Sequence, residues 1–548
     1  MLSLAGWALG PLVSPALACG GLFCDAQQPV DQTGERILFV LDEAADAVEM
    51  HVQISYQGPS EDFSWILPVA SVPELFVSSD DVLARLALVT TPTFVPTQET
   101  VGTCTSSFVN QSKDDSVDVA PPSDEDGGVT VVGAAPVGPY DSVTLQATDA
   151  ATLVAWLTDN GYDLPEGAEA RIAPYIGSGS AFVALKLQKD RDSGDIVPLG
   201  LRYAGSDPVI PLQLTGVAAA PDFRLQPYVL GARRAVPENY LHVVINELAV
   251  DWLAVGANYQ DVVARAADEA GGLAFATDFA GPHAATGVLL WREDQVPLAA
   301  IASMTSLAEL ETVLVTPFLT PGSAAGLDVW GLPVTTATAA ILDAYVTPPT
   351  NVELVNYLSC MSCYGSPVGA LDGASLAEAL ESAWAAPLRR VQAHLDAYPY
   401  LTRLTSSISA AEMSLDPRFV LNDTLGDVAG ARQAVVQTLC SGLHGFNEAP
   451  RRLVLADGTT LELPSRDDVA AGGFDWASWV AAAGSDAALR VEQTGRSGDA
   501  VVLVDNGPSI RAAADAFNRA HCGCDQGSWP ASWAGVVAIA FGVRRRRR

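Results

Sequence analysis

Lysine is almost missing from this 548-residue chain: Lys113, Lys186 and Lys189 stand beside 27 arginines. All bases together number 30 against 64 aspartates and glutamates, a formal charge of -34. A surface this acidic repels phosphate backbones, so nucleic acid is excluded as a partner, while cationic partners, divalent ions or solubility in salt stay open. Catalytic signatures are missing as well: there is no HExxH, no GxSxG, no Walker A loop and no GxGxxG ahead of a helix. The six histidines are scattered, none at metal-ligand spacing from another. No catalytic residue and no cofactor-binding residue is therefore assigned, and no cofactor is expected.

What is present is globular: 49% hydrophobic and 17% charged residues, enough for two to four packed units at about 150 residues each. Residues 1–18, MLSLAGWALGPLVSPALA, are uncharged and end in Ala16-Leu17-Ala18, the pattern of a secretory signal cut before Cys19. The usual basic n-region is missing, since no base precedes Arg36. A lipoprotein signal is the rival, because a cysteine follows the cut, but Leu17 is large where such a signal wants a small residue.

At the other end His521-Cys522-Gly523-Cys524 leads through ASWAGVVAIAFGV to Arg544, Arg545, Arg546, Arg547 and Arg548. An apolar run of about 13 residues is short for a span of roughly 20, but flanking Trp529 and Trp533 and snorkelling arginines extend it. The arginine cluster stays cytoplasmic under the positive-inside rule, leaving the acidic body outside. This tail resembles the myxobacterial C-terminal sorting tag MYXO-CTERM. The resemblance implies processing near Cys522 or Cys524 by a sorting protease, and residence at the cell surface.

Between the ends the chain is read as α+β. A β-rich module (19–105) has strands at 37–41, 47–56 and 65–67, the last ended by Pro68, and a helix at 80–89. In the second strand Val48, Met50, Val52 and Ile54 alternate with Glu49, His51 and Gln53, which places His51 on a wet face. Residues 106–128 form an acidic linker or loop, too poor in large apolar side chains to pack. A mixed region (129–350) holds a strand at 143–147, a helix capped by Thr148, a second opened by Pro165, a strand at 182–187, and a helix capped by Asn258 and stopped at Gly271. A helical region with a CxxC pair (351–450) carries capping-box spacings at Ser375/Glu378 and Ser409/Glu412. A C-terminal α/β segment (451–520) contains an Asp457-Gly458 hairpin signal, and 521–548 is the tag with its hydrophobic helix.

In an exported chain cysteines are oxidised. Setting aside the tag, Cys19, Cys24, Cys104, Cys360, Cys363 and Cys440 are the disulfide candidates, with 15 connectivities open. Cys360-Met361-Ser362-Cys363 reads either as a structural bridge or as a redox pair, and the strand-then-helix setting of thioredoxin-like folds is missing. Asp190, Asp192 and Asp195 in KDRDSGDI are weak calcium candidates; the preferred reading is a polar hairpin turn joining 182–187 to 198–202.

The stretches ACGGLFC with PVDQTGERILFV, HVQISYQGPSEDFSWILPV, VGPYDSVTLQATDAATLVAWLTDNGY and YLTRLTSSISAAEMSLDPRFVLN resemble the bacterial domain-of-unknown-function family numbered 2330, over residues 19–422. The resemblance implies an exported bacterial protein and carries no catalytic site. The expectation is an exported protein at the envelope or outer surface of a Gram-negative cell, held by its C-terminal segment. It serves as a non-enzymatic binding or structural module for an unknown surface ligand, with signal peptidase and a sorting protease as its processing partners. The alternatives are a secreted hydrolase or a thiol-disulfide enzyme with a non-local site, and a calcium-stabilised adhesin.

Overall fold

The structure, a computed structural model, describes residues 22–23, 31–57, 64–105, 131–160, 162, 164, 167–188, 196–217, 219–317, 330–472, 474–482 and 486–521. The chain divides into two units: residues 1–95, 112–432 and 486–507 make the first, and residues 96–111, 433–485 and 508–548 the second.

Alternation of apolar and polar residues builds the centre of the first unit. Strand Ala47–Gln57 pairs antiparallel with Asp31–Asp42, so that Ile37 lies opposite Val52 and Leu38 opposite His51. These two sit inside a ten-stranded mixed sheet in the order Val501–Asp505, Ala488–Gln493, Leu241–Ile245, Ala274–Pro282, Tyr400–Ile408, Ala219–Gly231, Asp31–Asp42, Ala47–Gln57, Leu199–Ala204, Glu74–Val77. A five-stranded sheet orders Leu22–Phe23, Ser64–Val69, Ala181–Leu187, Tyr140–Leu145 and Val131–Val137.

Three apolar clusters give the layering. Ile37, Phe39, Val48, Met50, Phe223 and Leu225 on one face of the large sheet pack with Trp65, Leu67, Val183 and Leu185 of the smaller one. The outer face of the smaller sheet, Ile66, Phe182 and Ala184, takes Leu153 and Leu157 of helix Ala150–Asp159 and Ile172 of Ala168–Gly177. Leu38, Val40, Tyr228 and Leu230, on the far face of the large sheet, meet helices that include Asp80–Thr90, Gly373–Leu380 and Ala386–Ala397. The unit is thus a helix, sheet, sheet, helix sandwich of α+β class, each layer burying one apolar face against the next.

The second unit has a four-stranded sheet, in the order Thr460–Leu463, Arg451–Leu455, Ala434–Gly445, Thr97–Thr105. The hairpin at Asp457-Gly458 forms as its turn chemistry dictates, with Gly458 at φ 84°. Trp479 packs edge-on against Phe517 at 5.0 Å.

Several local expectations are corrected. His51 is fully buried, because the helical layer covers the face that alternation marks as wet. Strand Ser64–Val69 runs through Pro68, which pairs with Phe182; on the other side the short Leu22–Phe23 strand meets only Trp65 and Ser64, so the missing N–H of proline costs no ladder bond there. The strands at 181–187 and 199–204 lie in different sheets and form no hairpin. Asp149, not Thr148, caps its helix, accepting from the Thr152 amide. Asp372 caps Gly373–Leu380 in place of Ser375, and Glu412 bonds the Ser409 amide in a turn with no helix after it. Asn258 precedes Tyr259–Glu269, but its side chain accepts from Asp251 instead of capping. Pro165 and the acidic segment 113–128 lie outside the described residues. Among the described residues no helix is long and apolar enough to cross a membrane, and the C-terminal apolar run lies outside them.

Candidate functional site

Where strand Ala219–Gly231 joins Asp31–Asp42, the ladder register shifts between Ala219 and Arg224, and Asp222 takes a left-handed φ of 54°. Such a bulge interrupts pairing and opens the sheet locally. Helix Tyr259–Glu269 passes over this face, and a cleft of about 690 Å³ is left between the helix and the strands. Arg36 and Arg224 enter from the sheet, Arg265 from the helix, and Asp222, Asp261 and Asp268 share the rim.

Register fixes the two sheet arginines. Arg224 pairs with Gly34 and Arg36 with Gln226, so the arginines lie on one face of adjacent strands in a diagonal relation, two like charges within reach of each other. Neither has a hydrogen bond or an ion pair among the described residues, although the charge of Arg36 is close enough to Asp80 to lower its carboxyl. Among the described residues only Arg36, Arg224, Arg265, Arg511 and Arg519 have neither a hydrogen bond nor an ion pair to the guanidinium, and three of these five converge on this cleft. Asp261 and Arg265 are spaced i, i+4 on the helix, the spacing of a surface ion pair, yet form none. Asp268 is raised above the ordinary aspartate value by burial and by Glu412, Asp222 and Glu269 nearby. The Oε1 atom of Gln260, also lining the cleft, is buried without a partner.

Glu35, beside Arg36, points to the opposite face, flanked on neighbouring strands by Ile54 and Leu225. Burial alone pushes its carboxyl up to about 8, and its Oε2 atom has no partner.

A second polar constellation lies under the helical layer. Glu49 Oε1 accepts from His51 Nε2 at 3.1 Å, from His394 Nε2 at 3.0 Å and from Arg390 Nε at 2.9 Å, while Arg390 Nη2 donates to Oε2 at 2.9 Å. Burial by itself raises this carboxyl, but donors from His394, His51 and Arg390 outweigh it and hold Glu49 well below the usual range. His51 is depressed by burial, so its neutral ring donates to Glu49 and accepts from Ser78 Oγ at Nδ1, 2.7 Å away. Gly200 lies between His51 and Phe76, and a Cβ there would sit 2.0 Å from the Phe76 ring. The bare glycine lets that ring lie across it, edge-on to His51 and under the Arg390 guanidinium at 3.7 Å.

Ser78, His51 and Glu49 have the composition of a hydrolytic triad, but Ser78 and His51 are 0% exposed and none of the three lines the cleft. Their arrangement ties strand Ala47–Gln57 to helix Ala386–Ala397 and to the start of Asp80–Thr90. A third network does the same nearby: Asp278 holds Arg403 at 2.9 Å and accepts from Tyr259 and Thr405, while His242 bridges Glu492 and Thr277.

The cysteines within the described residues form two bonds. Cys104 joins Cys440 across the parallel pair Thr97–Thr105 and Ala434–Gly445, and Cys360, just after helix Leu354–Ser359, joins Cys363 inside the 3-10 segment Met361–Tyr364, with Cys363 exposed. Cys19, Cys24, Cys522, Cys524, Arg544, Arg545, Arg546, Arg547 and Arg548 lie outside the described residues, as do Asp190, Asp192 and Asp195. Among the described residues no group of three or more His, Cys, Asp or Glu side chains is disposed to hold a metal ion. The cleft arginines carry no motif. The one sequence signal is a base in a strand, Arg36 in GERILFV, within a chain poor in bases.

Fold and cleft define an α+β protein whose first unit, a two-sheet sandwich, carries an open, charged site with no nucleophile paired to a base among its described residues. The chain belongs to a family described as an uncharacterized protein conserved in bacteria (DUF2330), whose model matches residues 13–317, more than half of the chain. The stretch YLTRLTSSISAAEMSLDPRFVLN lies beyond that match. No curated protein and no solved structure matches the chain.

Proposed function

We propose that this chain is exported, held at the envelope of a Gram-negative cell by its C-terminal segment, and works there as a non-enzymatic binding module. Its site is the cleft beside helix Tyr259–Glu269. One observation carries the binding reading: Arg36, Arg224 and Arg265 stay unpaired around a cavity of about 690 Å³, in a chain whose acids outnumber its bases by 64 to 30. Of the five described arginines without a hydrogen bond or ion pair, three gather at this one cleft, where their forked donors are available to a ligand.

The signal-like residues 1–18 and the tail that resembles MYXO-CTERM support export and anchoring, with signal peptidase, a sorting protease and the membrane as partners. The acidity speaks against nucleic acid. Calcium at Asp190, Asp192 and Asp195 is not part of this reading.

The intact mass of native protein from the membrane fraction, before and after reduction with alkylation, tests it. The expected mass lacks both ends and counts the bridges. A mass that keeps Arg544 to Arg548 removes the sorting tag, and robust turnover on a hydrolase panel, abolished by one substitution, removes the non-enzymatic part.

A thiol-disulfide enzyme is the second reading, favoured by the exposure of Cys363 in its bond to Cys360. A low-pKa thiol after reduction supports it; an inert pair removes it.

A further inference from the structure

The ligand class follows from what the cleft offers and what it withholds. We infer that it takes a short zwitterionic peptide, one that presents a carboxylate and an ammonium group together. This rests on the binding reading above.

Four observations lead there. Arg36 and Arg224 stand diagonal on adjacent strands and line the same cleft without an ion pair, and two forked donors on one face can hold a carboxylate between them. Asp222, Asp261 and Asp268 have no ion pair among the described residues, and face the same space with charge of the opposite sign. Gln260 lines the cleft beside them, and its amide can meet a polar group of a ligand. Among the described residues no aromatic or large aliphatic side chain lines the cleft, so no ring is there to stack on a sugar face and no apolar wall to bury an acyl chain. An anion alone would leave three aspartates and Gln260 unanswered. A neutral sugar would leave three guanidinium groups unanswered.

Backbone geometry preforms the site. The bulge at 219–224 that opens it includes Asp222 in a left-handed conformation, which a non-glycine residue adopts at a local cost, and Gly34 lets the Arg224 carbonyl approach to 3.0 Å of where a Cβ would stand.

The test uses the mature full chain and calorimetry with four probes: the dipeptide Lys-Asp, N-acetylaspartate, inorganic phosphate and cellobiose. Lys-Asp is expected to bind, and Arg36→Gln or Arg224→Gln to weaken it about tenfold or more, as loss of a charge-assisted contact does. Arg224→Gln should keep the wild-type unfolding midpoint, since Arg224 has no hydrogen bond or ion pair to lose, and Arg36→Gln should move it only slightly, since Arg36 acts on Asp80 through its charge alone. Equal affinity for N-acetylaspartate or phosphate would reduce the site to an anion clamp. Binding of cellobiose in place of Lys-Asp would assign it to a sugar. Either result sinks the zwitterion and leaves a binding module standing. If no probe binds, or if Lys-Asp binds and neither variant weakens it, the cleft is not the site and both readings fall.

Discussion

Glu49 Oε1 and His394 Nε2 meet at 3.0 Å although the residues are 345 positions apart. The carboxylate that receives this bond also receives His51 and both ends of the Arg390 fork, so one side chain on a central strand fastens helix Ala386–Ala397 to the sheet. Glu49→Gln leaves these donors without their anion, and a loss of about 3–5 kcal/mol is expected in denaturant unfolding. Because the folded carboxyl is lowered, its contribution is present above the ordinary carboxylate value near 4.5 and is lost as pH falls below it. The difference between wild type and variant should therefore shrink in acid; a constant difference down to pH 3 would show that ionisation is not what Glu49 supplies.

Glu35 runs the other way. Its folded carboxyl is raised to about 8, so between the ordinary value of 4.5 and 8 the folded state holds a proton that the unfolded chain has released. Stability then falls with rising pH by up to ~1.4 kcal/mol per unit in that window. Glu35→Gln removes this slope, and the variant should gain on the wild type between pH 5 and pH 8. Parallel stability curves would mean that Glu35 is already ionised at neutral pH.

The Cys104–Cys440 bond closes 336 residues of sequence separation and holds strand Thr97–Thr105 in the four-stranded sheet. Replacing both cysteines by serine is expected to cost about 2–5 kcal/mol, read as earlier protease cleavage within 96–105. Replacing Cys360 and Cys363, whose loop is three residues apart, should cost far less. Equal losses would show that loop closure is not the source of either effect.

Strand Val501–Asp505 ends the ten-stranded sheet with Val501, Val502, Leu503 and Val504 between 46% and 60% exposed. An edge of this kind invites pairing with other chains. Leu503→Lys is expected to leave unfolding within about 0.5 kcal/mol of wild type and to lower light scattering on heating. A loss of stability beyond about 2 kcal/mol would mean that the strand packs against something in solution.

Much of the secondary structure was legible in the sequence because it is set locally. Alternation marks strand Ala47–Gln57, Asp457-Gly458 marks a turn, and the run from Asp80 marks a helix, each decided by residues a few positions apart. Composition likewise sets the charge balance, 64 acids against 30 bases, without reference to any fold. What alternation cannot say is which face stays wet: His51 reads as exposed until helices from residues 80–90 and 386–397 close over it. The same limit hides the cleft. Arg36, Arg224 and Arg265 come from two strands and a helix, and only sheet register and a bulge bring their charges into one cavity. Local sequence determined the elements and the charge balance of this protein. Tertiary structure decided which charges were buried in pairs and which were left free, because desolvation and ion pairing depend on distances between residues that sequence separates by hundreds of positions.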